Sequence, residues 1–465
     1  MTVNMTDLER WETTVGKAGN RGRQQRTLNR RRLLKATTGV AAGLSVAGCL
    51  DSYDTIAGSS DDDAAEPVTI GVLAPNPDSD YVGRSIVRAA TVAVAELNDD
   101  GGINGRDVEL AVGDTNGSPL EARRQYQRLV LEEGADVTVG IFASEALMGV
   151  IDDIAEQETI HLTSGAATTE ASRLVNESYD QYKYHFRVGP INDYDLGRSQ
   201  IDFMDDMAAE IGWESVALLA EDYSWTEEPW DIYQEHLAET GVDIVMEERY
   251  PPATDDFSDI YDRVEDADAD VAFITAAHTG NEALADWAAP QRPFAFGGIH
   301  VPMQLPAYYE QARHPQTDAA LAEYGVSYNS ATAQSTTTSK TQDFINHYQE
   351  MFDGANPVYT GYHTYDGIKL FAEKAAEAGT VDSDDLVPEL EAASFTGTTG
   401  TLEFYGQDHQ AEGRAYGHTH DIVYGEDTQQ PIYFQWQADE TGEGTQEIIW
   451  PESEATAEYT DPDWL

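Results

Sequence analysis

Cysteine occurs once in the 465 residues, at Cys49, so no disulfide can form within the chain. A chain of this length buries a large core without one. Positive charge is scarce: 27 Lys and Arg stand against 85 Asp and Glu, a net charge of -58. After residue 48 only four lysines remain, Lys183, Lys340, Lys369 and Lys374. No basic patch is available to meet phosphates, which excludes nucleic acid as a partner. No apolar run approaches the ~20 residues that a spanning helix needs. A Walker Gly-Lys-Ser/Thr motif, a Gly-x-Ser-x-Gly elbow and a Cys-x-x-Cys pair are all absent. His409, His418 and His420 have no further nearby cluster at ligand spacing, so neither a metal nor another cofactor is expected.

What is present is acid and an ordered apolar pattern. Residues 1–48 hold 9 basic and 3 acidic residues, which leaves the remainder at -64. Such a charge repels itself in dilute salt, whereas at ~1 M salt the Debye length falls to ~3 Å and the repulsion is screened. The composition therefore predicts adaptation to high salt, with most carboxylates solvated on the surface. Disorder is excluded because 41% of the residues are hydrophobic and they fall at strand and helix spacing.

The first 35 residues are hydrophilic and basic. Asn29-Arg30-Arg31-Arg32-Leu33-Leu34-Lys35 has the form of a twin-arginine export signal, and Ala36 to Ala47 is a small-residue apolar stretch of signal length. Val46-Ala47-Gly48-Cys49 resembles a lipobox, which makes Cys49 the expected lipid attachment site after cleavage. Leu50 to Glu66 reads as a flexible acidic tether.

The fold is organised around Val68 to Pro119. Val68 to Leu73 is a short β-branched run that ends at Pro75. Val82, Ile86, Ala89, Ala90, Ala93, Val94 and Leu97 then recur at helical spacing, Gly101-Gly102 stops the helix, and Val108 to Val112 is the next strand. This is one βαβ unit of a parallel sheet, and ligands of such sheets sit beyond the carboxyl ends of the strands. An Ala-Pro loop, a helix ending in Glu-Leu-Asn, Gly-Gly-Ile-Asn-Gly-Arg, a strand and then Asp-Thr together resemble the leucine/isoleucine/valine-binding protein family, the solute receptors of branched-chain amino acid ABC importers. The resemblance covers about Pro67 to Tyr433.

The resemblance implies an α/β, two-lobed periplasmic-binding-protein type I fold. Each lobe is a parallel sheet flanked by helices, and three crossover strands join them. The implied organisation is a signal over 1–48 and a linker over 49–66. A first lobe over 67–188 resumes over 327–410, a second over 189–326 resumes over 411–450, and a loose acidic tail fills 451–465. The alternating pattern continues through strands at Asp243 to Tyr250, Asp270 to Thr275 and Phe294 to Phe296, and helices at Thr341 to Phe352 and Tyr359 to Ala378. Gly400 to Tyr405, Thr419 to Tyr424 and Ile432 to Gln437 are read as later strands.

Two hydroxyl-rich loops follow successive strands at one sheet edge, and the family's carboxylate contacts fall there on Ser144, Ala166, Ala167 and Thr168. Tyr81 occupies the first loop, where the family places an aromatic over the ligand. Trp225 stands where the family keeps a tyrosine, and His278 and His300 follow strands of the second lobe. The family's glutamate for the ligand ammonium belongs after the strand at Phe294, but no Asp or Glu occurs from Trp287 to Tyr309. Either Asp222 or another carboxylate replaces it, or the ligand carries no ammonium, because an unpartnered buried charge is costly. The implied function is an exported, lipid-anchored receptor on the outer face of the membrane. It would bind a branched-chain amino acid or a similar small carboxylate or amide, and deliver it to an ABC permease and its ATPases without catalysis of its own. A sensory ligand-binding protein of the same fold and a secreted hydrolase are the alternatives.

Overall fold

The computed structural model describes residues 66–438 and 442–465. The twin-arginine run, the lipobox with Cys49 and the acidic linker up to residue 65 lie outside the described residues.

The first lobe is built from β1 (Val68–Ala74), α1 (Tyr81–Asp99), β2 (Val108–Asp114), α2 (Pro119–Gln127), β3 (Val137–Gly140), α3 (Ser144–Gln157), β4 (His161–Thr163), α4 (Glu170–Glu177) and β5 (His185–Arg187). Its five parallel strands run in the order β2-β1-β3-β4-β5. Val68 pairs with Val108 on one side of β1, and Ile70 with Val137 on the other. Helices cover both faces of β1, which is why its residues read as a continuous apolar run. The α1 stripe of Ile86, Ala89, Ala90 and Ala93 is fully buried, and the Asp80 carboxylate caps the Val82 and Gly83 N–H groups at 2.8 and 3.1 Å.

The second lobe repeats the plan with α5 (Asp193–Ile211), β6 (Ser215–Glu221), α6 (Glu227–His236), β7 (Asp243–Tyr250), α7 (Ser258–Asp266), β8 (Val271–Ala276), α8 (Glu282–Ala288) and β9 (Ala295–His300). The sheet order is β7-β6-β8-β9, all parallel. The chain leaves β1 toward β2 and returns past it to β3, and it leaves β6 toward β7 and returns past it to β8. Each sheet therefore has a switch point, between β1 and β3 and between β6 and β8, where the following loops diverge and open a crevice.

The chain then crosses at β10 (Val326–Asn329) and sends α9 (Thr341–Met351) and α10 (Tyr359–Ala378) back onto α1. The Val358 N–H donates to Ser85 Oγ at 3.1 Å, and the Asn104 amide donates to the Ala375 carbonyl at 2.8 Å. After α11 (Ser383–Glu391) come the two-residue strands β11 (Phe395–Thr396) and β12 (Thr401–Leu402). The hairpin β13 (Ile432–Ala438) and β14 (Gly444–Trp450) then pairs antiparallel with β10.

Four expectations differ from the structure. β9 extends to His300 because Gly298, at φ +115°, lets the backbone pass Ile274; a Cβ there would lie 2.1 Å from the Ile274 carbonyl oxygen. The strand expected over Gly400 to Tyr405 shortens to Thr401–Leu402, because Gly400 enters it at φ +132°. The third crossing is held by isolated bridges, Arg187 to Asp421 and Phe404 to Ile422, in place of the strand expected over Thr419 to Tyr424. The acidic tail is docked: the Trp464 indole donates to the Arg292 carbonyl at 2.9 Å and packs tilted against Trp287 at 5.4 Å, while Tyr459 meets Trp213 at 5.8 Å. Its aromatic residues outweigh the charge that suggested a loose end.

Candidate functional site

The loops that follow β1, β3 and β4 in the first lobe face those that follow β6, β8 and β9 in the second. Between them lies a cavity with about 440 Å³ of space free of atoms, part of it open to solvent. Phe142, Leu196, Trp225, Ile299, Val301 and Tyr359 make most of its apolar wall. No Asp or Glu is among the lining residues.

On the first-lobe side, Gly140 (φ +118°) and Ile141 (φ +64°) turn the chain sharply out of β3, so that Phe142, Ala143 and Ser144 reach the cavity at the start of α3. No side chain caps this helix, and the first return bond is from the Leu147 N–H to the Ala143 carbonyl at 3.1 Å. The N–H groups of the first turn and the Ser144 hydroxyl are thus the donors that this lobe presents. The loop after β4 is tied back onto β3: Ser164 N–H donates to Gly140, and Ala166 N–H to Ile141 at 2.9 Å. Gly165 and Ala167 line the cavity from this loop. Ala166 and Thr168 do not. Their carbonyls accept from the fully buried Arg187 guanidinium, and Thr168 Oγ1 accepts from the Glu170 N–H at 3.3 Å.

On the second-lobe side, Trp225 and His278 line the cavity, and behind them stands Glu221, the last residue of β6, with no exposed surface. Glu221 Oε1 accepts from His278 Nδ1 at 2.7 Å and from Trp225 Nε1 at 3.0 Å. Its Oε2 accepts from the backbone N–H groups of His278 and Thr279 at 2.9 and 3.3 Å. Burial pushes this carboxyl up, but the His278 contacts outweigh it and hold the group below the usual carboxylate range. His278 is fixed from two further sides, by Tyr223 stacked at 4.4 Å and by Phe142 of the first lobe at 5.5 Å.

His300 sits outside the lining. Its ring is packed between Phe296 and Tyr308, Nε2 meets the Gly280 carbonyl at 3.2 Å, and burial pushes it down to about 4. Tyr81 begins α1 beside the cavity and is not one of its lining residues. Burial first, then Asp80, Tyr308 and Glu221 nearby, push its phenol well above the usual value. Asp222 points away from the site, pairing with Arg249 at 3.3 Å on the surface. The lobes meet directly: Ser224 Oγ donates to Glu145 Oε1 at 2.7 Å, and the Tyr359 N–H donates to Gln304 Oε1 at 3.3 Å.

Sequence reasoning missed Glu221 and the apolar wall of Phe142, Leu196, Ile299, Val301, Tyr328 and Tyr359. The available signal for Glu221 was an acid closing the otherwise apolar strand Ser-Val-Ala-Leu-Leu-Ala-Glu at a sheet's ligand-binding edge.

A facing pair of doubly wound lobes, each offering its switch-point loops to one shared cavity, defines a two-lobed solute-binding protein. Residues 67–419 match the periplasmic binding protein family, and the chain belongs to it. A chemotactic signal transduction system substrate-binding protein, BasB of Halobacterium salinarum, is 32% identical over 149 residues, which are 31% of this chain and 35% of that protein. The chain thus matches about a third of that relative's length. A solute-binding protein of an ABC transporter from Rhodopseudomonas palustris BisB5, in complex with 3,4-dihydroxybenzoic acid, has a TM-score of 0.67 at 20% identity, covering 82% of this chain and 96% of that one. The branched-chain amino acid transporter substrate-binding protein LivJ of Streptococcus pneumoniae, in complex with isoleucine, has a TM-score of 0.66 at 16% identity, covering 83% and 100%. These likenesses establish the two-lobed type I fold, and family membership gives the chain a substrate-binding role.

Proposed function

We propose that the chain is the receptor of an ABC importer, closing on a small apolar or aromatic carboxylate and passing it to a membrane permease. The observation that carries this reading is the composition of the cavity. It has aromatic and aliphatic walls, the uncapped start of α3 with Ser144 to receive a carboxylate, and no acidic lining residue to receive an ammonium. The neighbours with bound 3,4-dihydroxybenzoic acid and isoleucine span both ligand classes, and the lining favours the first. Ser144, Ala167, Trp225 and His278 are the residues proposed to surround the ligand, with Tyr81 beside the cavity, Ala166 and Thr168 shaping the loop and His300 backing the wall. The likeness to BasB supports a second reading, in which the same closed form signals to a chemotaxis partner.

Export by the twin-arginine route, a lipid at Cys49 and adaptation to high salt complete the proposal, on the order of residues 29–49 and the net charge of -58. The test is calorimetric titration at ~1 M salt, where repulsion between surface charges is screened, comparing leucine with its deaminated 2-oxo analogue and with benzoate. The proposal expects the oxo acid or benzoate to bind at least as tightly as leucine. Leucine binding ~100-fold tighter, about 2.7 kcal/mol, would place an ammonium partner in the cavity and overturn the ligand class.

A further inference from the structure

Within the cavity lining, charge can be carried only by His278 and, at high pH, by the tyrosines Tyr328 and Tyr359. Burial pushes both phenols up, so they stay neutral. The nearby arginines are committed elsewhere, Arg187 to Asp421 and two carbonyls, Arg249 to Asp222 and Thr226. The buried Glu221 cannot turn out to meet a cation without abandoning two backbone N–H groups, an indole and an imidazole. We infer that His278, held through Nδ1 by Glu221, is the group of the second lobe that meets the ligand's carboxylate, and that it takes up a proton from solvent when it does so.

The argument runs through the hydrogens. An ionised carboxylate only accepts, so the His278 nitrogen at 2.7 Å from Glu221 carries a hydrogen and Nε2 is the ring atom left for a ligand. A ligand carboxylate is likewise an acceptor. For Nε2 to meet it, Nε2 must be protonated as well, giving an imidazolium between two carboxylates. An ammonium would instead need Nε2 bare, and would bind with no proton gained. Glu221 lies on one side of the His278 ring, Tyr223 is stacked on its face, and Glu145 comes from the opposite lobe through Ser224, with Tyr81, Tyr250 and His300 around Glu221. Glu221 is thus a positioning residue: it fixes the ring and its tautomer, and it supports the charge without touching the ligand.

The inference rests on the receptor reading above, and one experiment separates the two. The full mature protein is titrated with benzoate, with the neutral isostere benzamide and with leucine, in two buffers of different protonation heat, at about pH 8, above the ordinary histidine value of ~6.5. Uptake approaching one proton per benzoate and none per benzamide is the expected result. Glu221→Gln, which removes the charge behind His278, should abolish the uptake and weaken benzoate about tenfold or more, with little change for benzamide. Because the uptake is measured first on the unmodified protein, a variant that fails to fold does not remove the test. Benzoate binding without proton uptake, or uptake that survives Glu221→Gln, overturns the inference and leaves the receptor reading intact. Leucine as the sole ligand, without uptake, overturns the inference and the ligand class but leaves the receptor role standing. If none of the three binds, both fall.

Discussion

Replacing Arg187 with Met tests whether the join between lobes is held by buried charge. The guanidinium is fully buried, donates to Asp421 Oδ1 at 2.9 Å and serves the carbonyls of Ala166 and Thr168. Met fills much of the same space but donates nothing. Asp421 then keeps its bonds from the Asn192 amide, at 3.1 Å, and from the Ser172 hydroxyl, and both carbonyls lose their donor. Breaking a buried pair in this way costs about 3–5 kcal/mol. The cost depends on pH. Burial already pushes the Asp421 carboxyl up against the pull of Arg187, and without Arg187 it rises further. A carboxyl raised in the folded state makes that state bind more protons than the unfolded chain, so stability falls as pH rises above the unfolded value of ~3.9. The loss should therefore approach about 4 kcal/mol near pH 8 and be smaller near pH 5, where Asp421 takes a proton instead. Urea unfolding at both pH values, in high salt, reads this directly, since a buried pair is screened little. A loss of less than ~1 kcal/mol, the scale of an exposed pair, at both pH values would refute the reasoning. The same variant disturbs the loop of Gly165 and Ala167, so benzoate affinity should fall with it.

The unfolding midpoint of the unmodified protein should rise strongly between ~0.1 and ~1 M salt as the net charge of -58 is screened; a flat response would refute the electrostatic argument. His161 is buried and pushed down to about 3, so the stability it contributes is complete above ~6.5 and is lost as pH falls toward its folded value. His161→Gln should accordingly cost ~2 kcal/mol less near pH 5 than near pH 7.5, measured by urea unfolding, and an equal cost at both would sink the assignment. Cys49→Ser should release the protein from the membrane fraction of producing cells, and retention equal to the parent's would exclude the lipid anchor.

Helix and strand content was legible where one period ran unbroken. The strand Asp243–Tyr250 and the helix Tyr359–Ala378 fall where alternation and helical spacing place them. Legibility failed where the determinant is a neighbour in space. The strand expected to end at Phe296 runs on through Gly297 and Gly298 to His300, because the backbone passes close to Ile274 there. The tail reads as loose from its charge, yet two aromatic residues dock it. At the site, the family resemblance, laid on loops that follow successive strands, led to Ser144, Ala167, Trp225 and His278, and these line the cavity. Glu221 was hidden by composition. Among 85 acids only its place at the end of an apolar strand sets Glu221 apart, and Asp153, Asp193, Asp195, Asp366 and Asp421 are buried as well.

That contrast bears on how an acidic chain can recognise an anion. At low ionic strength the surface field of a chain at -58 repels a carboxylate long before contact. At ~1 M salt, with a Debye length of ~3 Å, the field hardly reaches beyond the first layer of atoms. Recognition then depends only on groups within touching distance, and there the chain has removed its usual chemistry. The acids beside the cavity loops are turned to other partners: Glu221 to His278 and Trp225, and Glu145 through Oε1 to Ser224. A free carboxylate at the same distance would oppose an anionic ligand by about 4 kcal/mol at an effective dielectric of 20. On the inference above, Glu221 avoids this by holding His278 through Nδ1, so that Nε2 becomes a donor to the ligand when it takes up a proton. Surface and cavity thus obey opposite rules, and the ligand class has to be read from the cavity lining, where the composition of the whole chain has no say.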